Sequence, residues 1–143
     1  MDHQWIRLTR QRVNILRLIW RGVSRVDEIM ERLFLRRNVV VNQIRALETA
    51  GLITRCGGAL KVVKNPKNLA LLLSHGVITP AEYITELLRY LEEASGGSLR
   101  FLASSEGLTL LANGMEGLSA LNEIREELRE LGFRTVRVSY SSR

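Results

Sequence analysis

The sequence predicts an α+β fold, in which a helical N-terminal half closed by a short hairpin precedes a small α/β module of order α-β-β-α-β. Three observations carry this expectation. Apolar residues recur at helical spacing up to Leu47, the pair Gly57-Gly58 separates two β-prone runs, and the apolar period shortens after Ser95-Gly96-Gly97-Ser98. At 143 residues with 45% hydrophobic content, the chain can bury one core or two small ones. The breaks divide it into a first domain at 1–68, a helical connector at 69–98 and a β-β-α-β module at 99–143.

Leu8 to Arg21 reads as the first helix. Thr9 is placed to cap it, and Val13, Leu16, Ile19 and Trp20 recur at helical spacing. Ile15 and Leu18 widen the stripe until it requires burial on more than one side, and Gly22 ends the helix. Ser24 is placed to cap a second helix, with Asp27 three residues on in the role of the usual Glu; Val26, Ile29, Met30 and Leu33 follow at i, i+3, i+4 and i+7. Leu35 and the polar residues after it form a turn. A third helix over 36–50 carries Val40, Ile44 and Leu47 inward, and Gly51 stops it.

The runs Leu52-Ile53-Thr54-Arg55-Cys56 and Ala59-Leu60-Lys61-Val62-Val63 then flank Gly57-Gly58. This is a tight hairpin, because both central residues of the favoured turn need positive φ. The order of turn, third helix and Leu47-Glu48-Thr49-Ala50-Gly51-Leu52-Ile53 resembles the winged helix-turn-helix regulators of the ArsR and MarR type. In those proteins a Leu-Glu-x-x-Gly-Leu-Ile/Val signature closes the recognition helix and opens the wing. The resemblance covers about Thr9 to Lys64 and implies a domain that binds double-stranded DNA. It implies that Leu35, Val40 and Ile44 are buried, and that Arg36, Arg37, Asn38, Val39, Asn42 and Gln43 face the major groove. Where that family often carries Ser or Thr, at the position of Val41, this chain has an apolar β-branched residue. Side-chain chemistry supports the same set independently: Arg pairs with guanine and Asn or Gln with adenine through two hydrogen bonds, and Val39 suits a thymine methyl.

Charge is distributed unevenly. Residues 1–68 hold 14 Lys or Arg against 5 Asp or Glu, a net of +9, whereas residues 69–143 hold 7 against 10, a net of −3. A basic block of this kind suits a phosphate-binding surface, because neutralising phosphates releases condensed counterions. Arg45, Arg55, Lys61 and Lys64, on the third helix and on or beside the hairpin, are placed for phosphates, contacts that position a duplex without reading it. Arg10, Arg12 and Arg17 either extend that patch or form a solvated helix surface. Arg36 and Arg37 sit at the positive end of a helix dipole, where stability disfavours them, and this points to function.

In the second half, Asn65-Pro66-Lys67-Asn68 reads as a break, and Leu69 to Leu73 as a short buried helix ending at Gly76. Thr79-Pro80-Ala81-Glu82 is a helix start, with Ile84, Leu87, Leu88 and Leu91 as its apolar stripe. Leu99–Ala103 and Leu108–Ala112 suggest a hairpin, followed by a helix from about Met115 to Leu131 and a strand from Phe133 to Tyr140. Leu118, Leu121, Ile124, Leu128 and Leu131 are the inward positions of that helix. The order of elements resembles part of a ferredoxin-like α/β sandwich, the dimerisation and effector module of Lrp-type regulators. Exposed sheet edges and Leu-rich helix faces suggest a homodimer, which would set two third helices about one DNA turn apart on a palindromic site.

Catalysis is not expected. There is no Ser-His-Asp set, no Walker-type loop, and no metal-ligand spacing among Cys56, His3 and His75. Glu123, Glu126, Glu127 and Glu130 crowd one helix face, where solvation accounts for them. No cofactor or metal is expected, and the single cysteine precludes an internal disulfide. The longest apolar runs are too short to cross a bilayer, so a cytoplasmic, nucleoid-associated protein is expected. The expected function is sequence-specific regulation of transcription. A DNA-coating nucleoid protein of low specificity is the second reading, and a winged helix used for protein interaction in a larger assembly is the third. The base-edge candidates favour the first over the second, and the basic block favours both over the third.

Overall fold

The computed structural model describes residues 6–94, 96, 99–104, 107–116, 118–119, 121–122 and 136–141, with side chains except at 99, 101–104, 107–110 and 136–141. The chain is α+β and divides into two compact units, Met1–Thr79 and Pro80–Arg143. The first holds α1 (Arg10–Trp20), α2 (Val26–Leu33), α3 (Arg37–Thr49), β1 (Ile53–Cys56), β2 (Ala59–Val62) and α4 (Pro66–Ser74). The second holds α5 (Pro80–Ala94), β3 (Leu99–Ser104), β4 (Gly107–Asn113) and β5 (Val136–Ser141). The stretch 69–98, expected to be a connector, is divided between the units, since α4 lies wholly in the first and α5 in the second.

Thr9 caps α1 by accepting the Arg12 N–H at 3.3 Å. Val13, Ile15, Leu16 and Ile19 are all buried, so α1 is covered on more than one side, by α2 and by β2. Ser24 does not cap α2. Its carbonyl accepts the Leu60 N–H of β2 at 3.0 Å, and the cap position falls to Arg25, which makes no side-chain capping bond. The short link between α1 and α2 is thus tied to the hairpin rather than to the helix it precedes.

Val40, Ile44 and Leu47 of α3 are each 0% exposed, as their i, i+4, i+7 spacing requires. Gly51, at φ +77°, ends the helix: its N–H donates to the Glu48 carbonyl and the Leu52 N–H donates to the Leu47 carbonyl, both at 3.0 Å. This closure occupies carbonyls that the helix itself leaves unpaired. Leu52 then enters the core and β1 begins. β1 and β2 pair antiparallel from Ile53↔Val62 to Cys56↔Ala59, across a turn in which Gly57 and Gly58 both have positive φ. Buried Ile53 and Leu60 hold the hairpin to the helices, while Cys56 is exposed at the strand end.

Asn65-Pro66, read as a break, is the start of α4. Asn65 accepts the Asn68 N–H at 2.8 Å, and Pro66 occupies the first helical position, where its missing donor costs nothing. Asn68 is the one buried polar residue among those described. Its amide donates to the carbonyls of Gly51 and Val63, both at 2.9 Å, so one side chain joins the end of α3 to the end of the hairpin.

In the second unit, α5 buries Tyr83, Ile84, Leu87 and Leu88 and packs on β3, while Leu91 is half-buried. The sheet order is β3-β4-β5, with β3 and β4 antiparallel and β4 and β5 parallel in register from Leu108↔Val136 to Asn113↔Ser141. Residues 114–116, 118–119 and 121–122 between the parallel strands are helical, and Leu121 is buried. A ferredoxin-like sandwich splits such a parallel pair with an intervening strand. Here β4 and β5 are direct neighbours, and the described residues contain no strand to lie between them, so the unit is an unsplit β-α-β. Ile124, Leu128, Leu131 and Phe133, the four glutamates at 123, 126, 127 and 130, and His3 lie outside the described residues.

Asn68→Ala leaves the two carbonyls it joins without that donor and should destabilise the first unit by about 1–3 kcal/mol. Urea melting of the full chain checks this, and a loss below about 0.5 kcal/mol would show that water replaces the amide without penalty.

Candidate functional site

Burial of Val40, Ile44 and Leu47 turns the opposite side of α3 to solvent. Asn38, Asn42, Arg45 and Thr49 form that exposed stripe, at helical spacings of four, three and four. Among the described residues, nothing in the protein hydrogen-bonds the side-chain amides of Asn38 and Asn42 or pairs with the guanidinium of Arg45. Two amides and a cation therefore stand in a row on a rigid helix.

The other positions expected on this face lie elsewhere. Gln43 is half-buried and committed to α1: its Oε1 accepts from Arg12 Nε at 2.6 Å, and its Nε2 donates to Gln11 Oε1 at 2.8 Å. Val39 is half-buried. Arg36 is exposed at the N-cap and makes no capping bond. Arg37 pairs with Asp27 of α2 at 2.9 Å, with the two side chains 67% and 81% exposed. An ion pair so open to water contributes little, so Arg37 can exchange its partner for another anion at small cost.

The four residues expected at phosphates do not form one group. Arg55 pairs with Glu48 of α3 at 3.2 Å. Opposed pairs share a face of the hairpin, so the register Arg55↔Leu60 and Thr54↔Lys61 puts Arg55 and Lys61 on opposite faces. Lys64 lies with its Nζ 4.9 Å from the centre of the Trp20 ring, a cation–π distance that holds it against the end of α1. Lys61 and Arg45 remain exposed, with no protein partner among the described residues.

Arg45 also borders a cleft between the segment before α1 and the C-terminal half of α3, lined by Ile6, Arg7, Arg12, Arg45, Ala46, Thr49 and Ala50. Three of these residues are arginines and none is acidic. Arg12 donates through Nε to Gln43 and through Nη1 to the Arg7 carbonyl at 2.9 Å, both neutral acceptors, so no carboxylate offsets the charge. The exposed side of α2, by contrast, carries Asp27, Glu28 and Glu31. An anion is drawn to the Arg45 side of α3 more strongly than to the α2 surface that carries these three carboxylates. Arg7 was not legible as part of a site, because it precedes the first helical period and acquires neighbours only through the packing of α1 on α3.

Among the described residues, no cluster of three or more His, Cys, Asp or Glu residues could hold a metal ion, and no helix is long and apolar enough to cross a membrane. Comparison of the chain with known protein families, curated proteins and solved structures finds no match.

Because both polar ends of Gln43 bind α1, Gln43→Ala should lower stability by about 1 kcal/mol. Thermal or urea unfolding measures this; an unchanged stability would mean that the bonds to Gln11 and Arg12 contribute nothing to holding α3 on α1.

Proposed function

We propose that this chain binds double-stranded DNA as a winged helix-turn-helix protein and reads sequence with α3. The observation that carries the reading is the unpartnered stripe Asn38, Asn42 and Arg45, set on a helix whose opposite face is wholly buried. An asparagine amide matches the N6 and N7 edge of adenine with two hydrogen bonds, and arginine matches guanine or a phosphate. The β1–β2 hairpin is the wing in this reading, with Lys61 as its phosphate contact. The Arg7–Arg12–Arg45 cleft is a second phosphate seat. The net charge of +9 in the unit that carries α3 supplies the long-range attraction. Regulation of transcription is the role such a reader suits, and pairing of two copies would match it to a palindromic site.

The structure also supplies an observation for a second reading, a DNA-coating protein of low specificity. With Gln43 tied to α1, Val39 half-buried and Arg37 on Asp27, fewer groups are ready for base edges than the sequence suggested. Selection of bound duplexes from a random pool at moderate salt separates the two. The sequence-reading proposal expects a defined motif, and Asn38→Ala or Asn42→Ala should then cost about 1–3 kcal/mol on the selected site and almost nothing on random DNA. Recovery of sequences without a motif, but with salt-sensitive binding, would establish the coating protein instead. Arg7→Ala with Arg45→Ala should flatten the dependence of log K on log salt by about 0.9 for each phosphate that the protein ceases to neutralise. An unchanged slope would remove the cleft from the interface.

A further inference from the structure

Phe34 breaks a rule that the rest of this chain follows. α1, α3 and α4 each end on a left-handed glycine, Gly22, Gly51 and Gly76, and the next residue donates its N–H to a carbonyl five positions back. α2 ends in the same way, with Leu35 N–H on the Met30 carbonyl at 3.1 Å, but its left-handed residue is Phe34, at φ 54° and ψ 44°. It is the one residue other than glycine described with positive φ. A bulky side chain is disfavoured in that conformation, since its Cβ crowds the backbone. The fold gains nothing in return, for Phe34 is 95% exposed. A chain that supplies glycine at three equivalent ends holds a solvent-exposed phenylalanine at the fourth.

We infer that Phe34 is a DNA-contacting residue, whose ring packs against the apolar surface of the duplex beside the N-terminus of α3. The inference rests on the DNA-binding reading. The surroundings favour a nucleic acid over a protein partner. In the first unit Phe34 is the one large apolar side chain described as exposed, whereas protein interfaces centre on several apolar side chains buried together. Its sequence neighbours Arg32 and Arg36 are exposed, and no carboxylate among the described residues pairs with either. Four residues of chain span at most about 14 Å, so a duplex seated on Asn38 runs within reach of the ring. There it can meet a thymine methyl in the major groove or the carbons of a deoxyribose.

The test compares Phe34→Gly, Phe34→Ala and Phe34→Tyr with the wild-type chain, measuring thermal stability and affinity for a selected duplex at fixed salt. Phe34→Gly restores the rule of the other helix ends, so it should melt higher than wild type while binding roughly tenfold more weakly. Phe34→Ala should lose the same affinity without the gain in stability, and Phe34→Tyr, which keeps the ring, should bind within about threefold of wild type. Replacing thymines of the duplex one at a time by deoxyuridine identifies the source. A loss at one position that Phe34→Gly no longer shows places the ring on a methyl, and no such loss places it on the sugar edge. The inference is overturned if Phe34→Gly binds within twofold of wild type, as a ring used for a protein partner would, or if it is less stable than wild type. If the wild-type chain itself binds no duplex, the DNA-binding reading fails first.

Discussion

The rotation of α3 about its own axis is the constraint on which the rest of the site depends. Val40, Ile44 and Leu47 are all fully buried, and burying each such side chain is worth about 1.5–3 kcal/mol. Turning the helix by one residue, about 100°, would expose all three. No surface contact of α3 competes with that. The Arg37–Asp27 and Arg55–Glu48 pairs are each worth about 1 kcal/mol or less, so they decorate an orientation that the core has already set. Asn38, Asn42 and Arg45 face outward because there is no inexpensive way for them to do otherwise.

Around this helix the other contacts fix position rather than rotation. Gly51 and Leu52 close its C-terminus, Asn68 ties that closure to the hairpin, and the Ser24 carbonyl holds β2 from the other side. The middle of the helix is anchored to α1 through Gln43, Arg12 and Gln11. The result is a rigid stripe of polar groups beside a cluster of arginines, with the acidic residues of α2 on another side. A surface of that polarity has a direction, and the proposed duplex has one side of α3 to approach from.

Much of this was legible in the sequence, and the parts that were not share a cause. Apolar spacing located α1, α2 and α3, and glycines marked the ends of α1 and α3 and the hairpin turn, because both signals are local. The capping of α1 by Thr9 and the turn at Gly57-Gly58 were legible for the same reason. Pro66 reads as a break from sequence alone, since proline interrupts a helix as readily as it starts one, and the cap that decides between them is a side-chain bond. The α1 partners of Gln43, the carboxylates that hold Arg37 and Arg55, and the ring beneath Lys64 all come from other elements, so no spacing within one element announces them. Phe34 carries no signal in the sequence, because its significance lies in a backbone conformation, which a residue name does not specify. In the second unit the element order was legible, but the direct parallel pairing of β4 with β5 was not, because order alone does not specify which strands are neighbours.

In the proposed complex α3 presents one face to the duplex. Titrating the isotopically labelled full chain with a short duplex, while following backbone and asparagine side-chain amide resonances, tests it most directly. The largest shifts should fall on Asn38, Asn42 and Arg45 and on the Gly57–Lys61 end of the hairpin, with the α2 positions Asp27, Glu28 and Glu31 unmoved. Shifts centred on the acidic side of α2, or no shifts at all, would contradict it.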